Sequence, residues 1–249
     1  MNIGLYQSAS ALSALEQWQD VVAQNITSGQ VSGFRKRTVE FSTQPAGGWQ
    51  LDPKASANAD LSQQALFPKV TNGISFTPGE NQPTGRDLDL AIQGDGYFQV
   101  QRPDGSKAYT RSGQFTTRAD HTLIDSAGDT VLSDSGSPIV LQSDTVKVTV
   151  NPDGSVLQNG GPVGRVGVVN FSDTSGLTPI AGGMFVSSGA SQAQPVAKPS
   201  VMQGFLESSN VAPLKEMVNL VLISRAYDAN QRVITNADDQ MQKELDALG

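Results

Sequence analysis

The chain carries one histidine, His121, and no cysteine in 249 residues. Few of its side chains can therefore act near neutral pH as base, nucleophile or soft metal ligand. Disulfides, thiolate zinc sites and thiol nucleophiles are excluded. His121 sits in TRADHTLIDS, a turn-like segment in which an isolated imidazole reads as a solvated polar residue. Without a second His, a metal site would need carboxylates alone, and Asp120, Asp125 and Asp129 lack calcium-loop spacing. Gly94-x-Gly96 in QGDGYF has neither the third glycine nor the following helix of a dinucleotide loop. No G-x-S-x-G elbow or S-x-x-K pair occurs, and no Ser–His–Asp set or facing carboxylate pair is singled out. The sequence reads as a non-enzyme with no cofactor and no metal, whose distinctive features are surfaces.

Composition narrows the classes further. Hydrophobic residues make up 37% and charged residues 16%, less apolar than a typical enzyme but enough for a sizeable core in one large domain or two smaller ones. Net charge is −7 and the pI is near 4.6, which argues against a broad nucleic-acid surface, because phosphate binding needs clustered Lys and Arg. The one basic cluster, Arg35-Lys36-Arg37, reads as a solvated loop. A secretory signal would show a basic start and then an apolar run, yet the first basic residue is Arg35. No stretch approaches the roughly eighteen apolar residues of a membrane span. The expectation is a chain that does not insert in membranes and uses no such cleaved signal.

The elements that would build such surfaces divide the chain. From Asp87 to Glu207, short β-prone runs alternate with turn signals, the habit of an all-β unit. DLDLAI, GYFQVQ, SKAYTR, VKVTV and GRVGVVNF are the clearest strands. Pro-Asp-Gly-Ser occurs at 103–106 and 152–155, each time between strand-like runs, and predicts tight hairpins in which Gly takes the positive φ. Residues 35–86 are polar and rich in Pro and Gly, and read as an extended arm or linker with two short strands, RTVEF and LFPKV.

The two ends differ from all of this. Leu5 to Ser28 contains no Gly or Pro, and Val211 to Leu248 only Pro213, tolerable in a first helical turn. Leu5, Leu12, Leu15, Val22 and Ile26, with Ser8 and Gln19, alternate three and four residues apart, which predicts an amphipathic helix. Met217, Leu220, Tyr227, Ile234, Met241, Leu245 and Leu248 do the same, with Ser224, Gln231 and Asp238 in the seam. The second helix would be a rod roughly 50 Å long. Neither should stand alone, since helices in proteins owe most of their stability to burying an apolar face. Either the ends pair with each other or with copies of themselves as coiled coils, or they pack on the β domain. The expected class is α+β, mainly β: a β-rich domain over 87–204, an arm over 35–86, and helical ends over 1–34 and 205–249.

LSALEQWQDVVAQNITSGQVSGFRKR resembles the start of the flagellar rod and hook family, a helix followed by Ala-Asn-Asn-Leu-Ala-Asn-x-x-Thr-x-Gly-Phe-Lys. Ala23, Asn25, Gly33 and Phe34 match it, Ile26 and Arg35 are conservative changes, and Gln24, Thr27, Ser28 and Val31 depart. GFLESSNVAPLKEMVNLVLISRAYDANQRVI resembles the closing motif more closely, at Gly204, Glu207, Ser209-Asn210-Val211, Glu216-Met217-Val218, Ile223, Arg225-Ala226-Tyr227 and Asn230. DLDLAIQGDGYFQVQRPDGSKAYTRSGQF is similar to the family's shared hairpin region.

The resemblance implies a structural subunit of the flagellar rod in the periplasm, whose terminal helices pair as coiled coils in an inner tube while a β-rich domain projects outward. It also implies ends that order on assembly, type III export without a cleaved signal, and partners among copies of itself and neighbouring axial proteins. The interface would then draw on Leu5, Leu12, Leu15, Val22, Asn25, Ile26, Gly33, Phe34, Asn210, Met217, Leu220, Tyr227, Ile234, Met241 and Leu245. The worn N-terminal motif and Pro213 after Ser-Asn-Val lean to the proximal-rod type, and SRAYDAN to the distal. A secreted β-rich binding module with internally packed helices remains the reading from another class.

Overall fold

The computed structural model describes residues 3–45, 66–143, 147–189 and 191–248. The chain runs through helix α1 (Ile3–Ser28), strands β1 (Arg37–Pro45) and β2 (Leu66–Ile74), a long succession of short strands from Asn81 to Glu207, and helix α2 (Pro213–Leu248). It divides into two compact units. One, helical, takes in Met1–Thr27, Arg37–Ser75 and Ala212–Gly249; the other, the β unit, takes in Ser28–Lys36 and Phe76–Val211.

The β unit is built around a nine-stranded antiparallel sheet. Strand Tyr97–Gln101 lies near its middle, paired with Lys107–Thr110, Thr130–Val131 and Val168–Phe171. Alternation along that strand sends Phe98 and Val100 into a core with Leu90, Phe115, Val131, Ile139, Val156 and Val201. Phe98 and Phe115 meet edge to face at 5.2 Å. The opposite face carries a second aromatic group in which Tyr97, Tyr109 and Phe185 surround Phe171 or each other at 4.8–5.8 Å. Tyr97–Gln101 is therefore covered on both sides and shows no polar–apolar burial alternation.

Both Pro-Asp-Gly-Ser turns form as the sequence predicts. Gly105 and Gly154 have φ of 82° and 83°, and each preceding aspartate accepts the backbone N–H of the following serine, at 2.8 Å from Ser106 and 3.0 Å from Ser155. The Ser106 hydroxyl and N–H donating to Asp104, and the Ser155 N–H and hydroxyl donating to Asp153, hold both carboxyls below the ordinary aspartate range. His121, with φ 64°, turns the chain between Phe115–Thr117 and Leu123–Asp125.

In the helical unit, Leu15 and Val22 of α1 and Ile223 of α2 form a small core flanked by Trp18, Ile26, Leu220, Ala226 and Tyr227. The two ends of the chain thus meet each other. β1 and β2 pair antiparallel along nine residues, from Arg37↔Ile74 to Pro45↔Leu66. Trp18 packs edge-on against Phe41 at 5.4 Å, and Ser10 Oγ donates to the Pro68 carbonyl at 3.2 Å.

The expected arm over 35–86 is divided by this architecture. The RTVEF and LFPKV runs lie in the β1–β2 pair, residues 46–65 lie outside the described residues, and Asn81–Pro83 pairs with Phe205–Glu207. The β unit consequently reaches beyond the expected 87–204 at both ends. Pairing partners more than a hundred residues away left no local signature from which sequence reasoning could find that last ladder.

Candidate functional site

Helix α2 is unlike an ordinary amphipathic surface helix in its first half. Glu216 and Ile223 are buried, and Leu220, Ala226 and Tyr227 pack beside Ile223. At about 100° per residue, Leu214, Val218 and Val221 fall on the far side of the helix from Ile223, and Leu222 on its flank. They are exposed at 77%, 54%, 52% and 50%, with Met217 beside them at 51%. An apolar patch at i, i+4, i+7 and i+8 spacing has the form of a helix-packing stripe. Past Ile223 no described side chain of α2 is buried. Gln19, Leu220, Val221, Ser224 and Tyr227 line a shallow groove of about 410 Å³ at the edge of this face.

The structure also places the expected interface residues. Leu15 and Val22 are buried, and Leu12, Ile26, Leu220, Tyr227 and Ile234 are half-buried. Met217 and Met241 are exposed, and the side chains of Leu5 and Leu245 lie outside the described residues. The strict three-four seam points past the residue that matters most: Ile223, at 1% exposure, is the pivot of the α2 stripe. Met217 lies about 120° away from it around the helix. Ile223 stands three residues after Leu220 and four before Tyr227, so the same periodicity could have found it; the strict seam runs through Ser224 instead.

Asn25, Gly33, Phe34 and Asn210 are held inside their own units by polar geometry. Asn25, 1% exposed, uses its amide as a peptide group, donating to the Arg37 carbonyl and accepting the Arg37 N–H, both at 2.8 Å. Its Nδ2 also reaches Glu216 Oε2 at 3.5 Å. Asn210 Oδ1 accepts the Lys36 N–H at 2.6 Å, and Nδ2 donates to the Thr77 carbonyl at 2.8 Å. Gly33 has φ +69°, and a Cβ there would stand 2.4 Å from the Arg111 carbonyl carbon. No other residue fits such a backbone approach. Phe34 is buried beside it, against Gly183.

Beside these residues lies a charged cluster that sequence reasoning did not assemble. Arg35, expected in a solvated loop, is 2% exposed. Its Nη1 donates to Glu207 Oε1 at 2.5 Å, and Arg111 Nη1 donates to Oε2 at 3.2 Å. The Gly79 N–H donates to Oε1 at 2.9 Å, and the Gly33 N–H donates to the Glu207 backbone carbonyl at 2.7 Å. Two guanidiniums face one carboxylate, and the surplus is spread over carbonyls: Arg111 also donates to those of Ile92 and Gly94, at 3.2 and 2.5 Å. Burial pushes the Arg111 pKa down, and Glu207 opposes that shift. Burial likewise raises Tyr97, whose ring lies 5.5 Å from the Arg111 guanidinium. The cluster ties the irregular segment that follows α1 to the strand Phe205–Glu207, which leads towards α2. A lone Arg-Lys-Arg run gives no hint of partners 172 residues further on.

A self-contained β unit, charge-locked where both termini leave it, joined to a helical unit with an open apolar face, defines a structural subunit built to contact other chains. Residues 91–158 match the family described as flagellar hook protein FlgE/F/G D1 domain, and residues 202–247 match the flagellar basal body rod FlgEFG protein C-terminal family. The chain is 34% identical to the flagellar basal-body rod protein FlgF of Caulobacter vibrioides, over 100% of this chain and 99% of that one. It is 32% identical to FlgF of Rhizobium meliloti, again over 100% and 99%. With the flagellar basal-body rod protein FlgG of Agrobacterium fabrum it shares 30% identity over 93% of this chain and 94% of the relative. The chain belongs to the flagellar basal-body rod protein family, a structural and non-enzymatic family, and is a rod subunit of the flagellar basal body.

Proposed function

We propose that this rod subunit polymerises through its terminal helices, which pair as coiled coils with those of neighbouring copies and of other rod and hook proteins, and that the polymer is an axial shaft carrying torque. The supporting observation is the open face of α2. Leu214, Met217, Val218, Val221 and Leu222 form an apolar patch with no cover of their own, on a helix whose second half buries no described side chain. A helix so sparsely covered gains its stability from another surface. Contacts of a head-to-tail kind that do not close produce a helical tube. The interface then draws on Leu5, Leu12, Ile234, Met241 and Leu245 besides this patch. Export goes through the flagellar type III apparatus without a cleaved signal, and the working place is the periplasmic part of the basal body. We favour the proximal-rod type on the worn N-terminal motif and on Pro213; the distal-rod type is the alternative within the family.

The test is Val221→Asp in a strain that has this gene as its only copy. Val221 is half exposed, so the isolated subunit should keep its fold, with stability changed by no more than about 0.5 kcal/mol. A charge in an apolar interface should abolish swimming and leave the subunit out of purified basal bodies. Wild-type motility would overturn the proposal. Amide exchange on the dilute chain separates the remaining reading: protection along the whole of α2 in the monomer would favour a self-contained binding module.

A further inference from the structure

A second surface, on the β unit, has the makings of a ligand site. Gln99 and Tyr109 are directly opposed across two paired strands and so project on the same face of the sheet. They are 8% and 7% exposed, and both line the floor of an open groove of about 590 Å³. The backbone of Gln99 is fully engaged, its N–H donating to Gly167 O and its carbonyl accepting from Leu132 N. Its side-chain amide has no partner among the described residues, and neither does the Tyr109 hydroxyl. The polar atoms of neither side chain are sealed from the groove, so two groups unpaired within the protein stand side by side at the bottom of a concavity, open to a partner from outside.

The rim defines the partner's chemistry. Lys107 stands at one end and Asp134 on the turn beside it, so the net charge of the lining is zero. Val169 and Pro195 contribute apolar patches, and the remaining polar groups are mostly hydroxyls and amides. A phosphate or carboxylate ligand would find a single lysine in the lining, with the Asp134 carboxylate, itself 3.9 Å from Arg165, nearby, too little charge to hold an anion. A purely apolar ligand would strand the amide and the phenol. A chain of neutral hydroxyls alternating with C–H faces satisfies both: hydroxyls pair with Gln99, Tyr109 and Asp134, while ring C–H groups lie on Val169 and Pro195.

We propose that this groove binds an uncharged oligosaccharide segment, with Gln99 and Tyr109 as the reading pair at its floor. The site lies wholly within the β unit, so it stands or falls independently of how the helices assemble.

The experiment is saturation-transfer NMR on the full chain with chitotetraose and cellotetraose, with a Gly-Ser pentapeptide as competitor, and with the variants Gln99→Leu and Tyr109→Phe. Saturable transfer from at least one tetrasaccharide, not displaced by the peptide, is expected. Tyr109→Phe removes a single hydroxyl and keeps the ring contact with Phe171, so it should fold normally and weaken binding several-fold; Gln99→Leu should weaken it tenfold or more. Absence of saturable transfer at 10 mM of either sugar, on the order of the weakest measurable affinity, would overturn the proposal. So would binding unchanged in Tyr109→Phe, or equal binding by the pentapeptide, which would make the groove a peptide site.

Discussion

Two buried glutamates, Glu207 and Glu216, stand nine residues apart and are each 1% exposed, yet they serve regions of opposite character. Glu207 receives Arg35, Arg111 and the Gly79 N–H in a unit whose core runs from Leu90 through Phe98, Phe115 and Ile139 to Val201. Glu216 meets Asn25 in a unit whose fully buried apolar cluster is Leu15, Val22 and Ile223. The β unit therefore has a large core of its own, whereas the helical unit has a small core and an exposed apolar patch on α2.

The sharpest way to break the comparison is at Glu207. Glu207→Ala leaves two buried guanidiniums facing each other without a carboxylate, and the loss should reach about 3–5 kcal/mol. The β unit's unfolding, followed by tryptophan-independent near-UV signal from its tyrosines, should move far down in temperature. A shift of only a few degrees would mean that the cluster is dispensable and that the core alone holds the unit.

Ile223→Ala should cost less, about 2–3 kcal/mol, at the low end for a buried isoleucine because a small, open cluster can close over the gap. Its signature is selectivity: the helical CD signal should melt earlier while the β unit's transition stays put. Coincident loss of both transitions would show that the two units fold as one and would undo the contrast.

The smallest effect is in alkali. Burial raises the pKa of both Tyr97 and Tyr109. The unfolded phenols ionise near 10 while the folded ones stay neutral, so the unfolded state releases more protons. The β unit's stability should then fall as pH rises above about 10, continuing until the raised folded values are passed. Tyr109→Phe should flatten part of that slope, read as the denaturation midpoint at pH 9 and pH 11. An unchanged slope would place the sensitivity elsewhere.

Much of the fold was legible for reasons of local chemistry. Gly and Pro spacing marked where the strands begin and end, the Pro-Asp-Gly-Ser turns announced their own φ, and the absence of breakers from Pro213's first turn onward gave α2 almost to the residue. The residues where α1 and α2 meet were legible in part, since Leu15, Val22, Leu220 and Tyr227 follow from periodicity. Ile223 was passed over because the strict seam runs through its neighbour Ser224, and Arg35 looked solvated because its partner is remote in sequence.

The sequence by itself determined the kinds of element, the places where they stop, and the lack of a thiol or paired histidines for chemistry, because those depend on single residues and their near neighbours. Which residues are buried together was decided by the tertiary structure alone. Arg35, Arg111 and Glu207 come from three distant stretches, as do Gln99 and Tyr109 with the rim that surrounds them. The open face of α2 exists only because Ile223, not Met217, turned towards α1. Burial is a property of the folded surface, and a side chain's period along one helix fixes its direction without saying what, if anything, stands there.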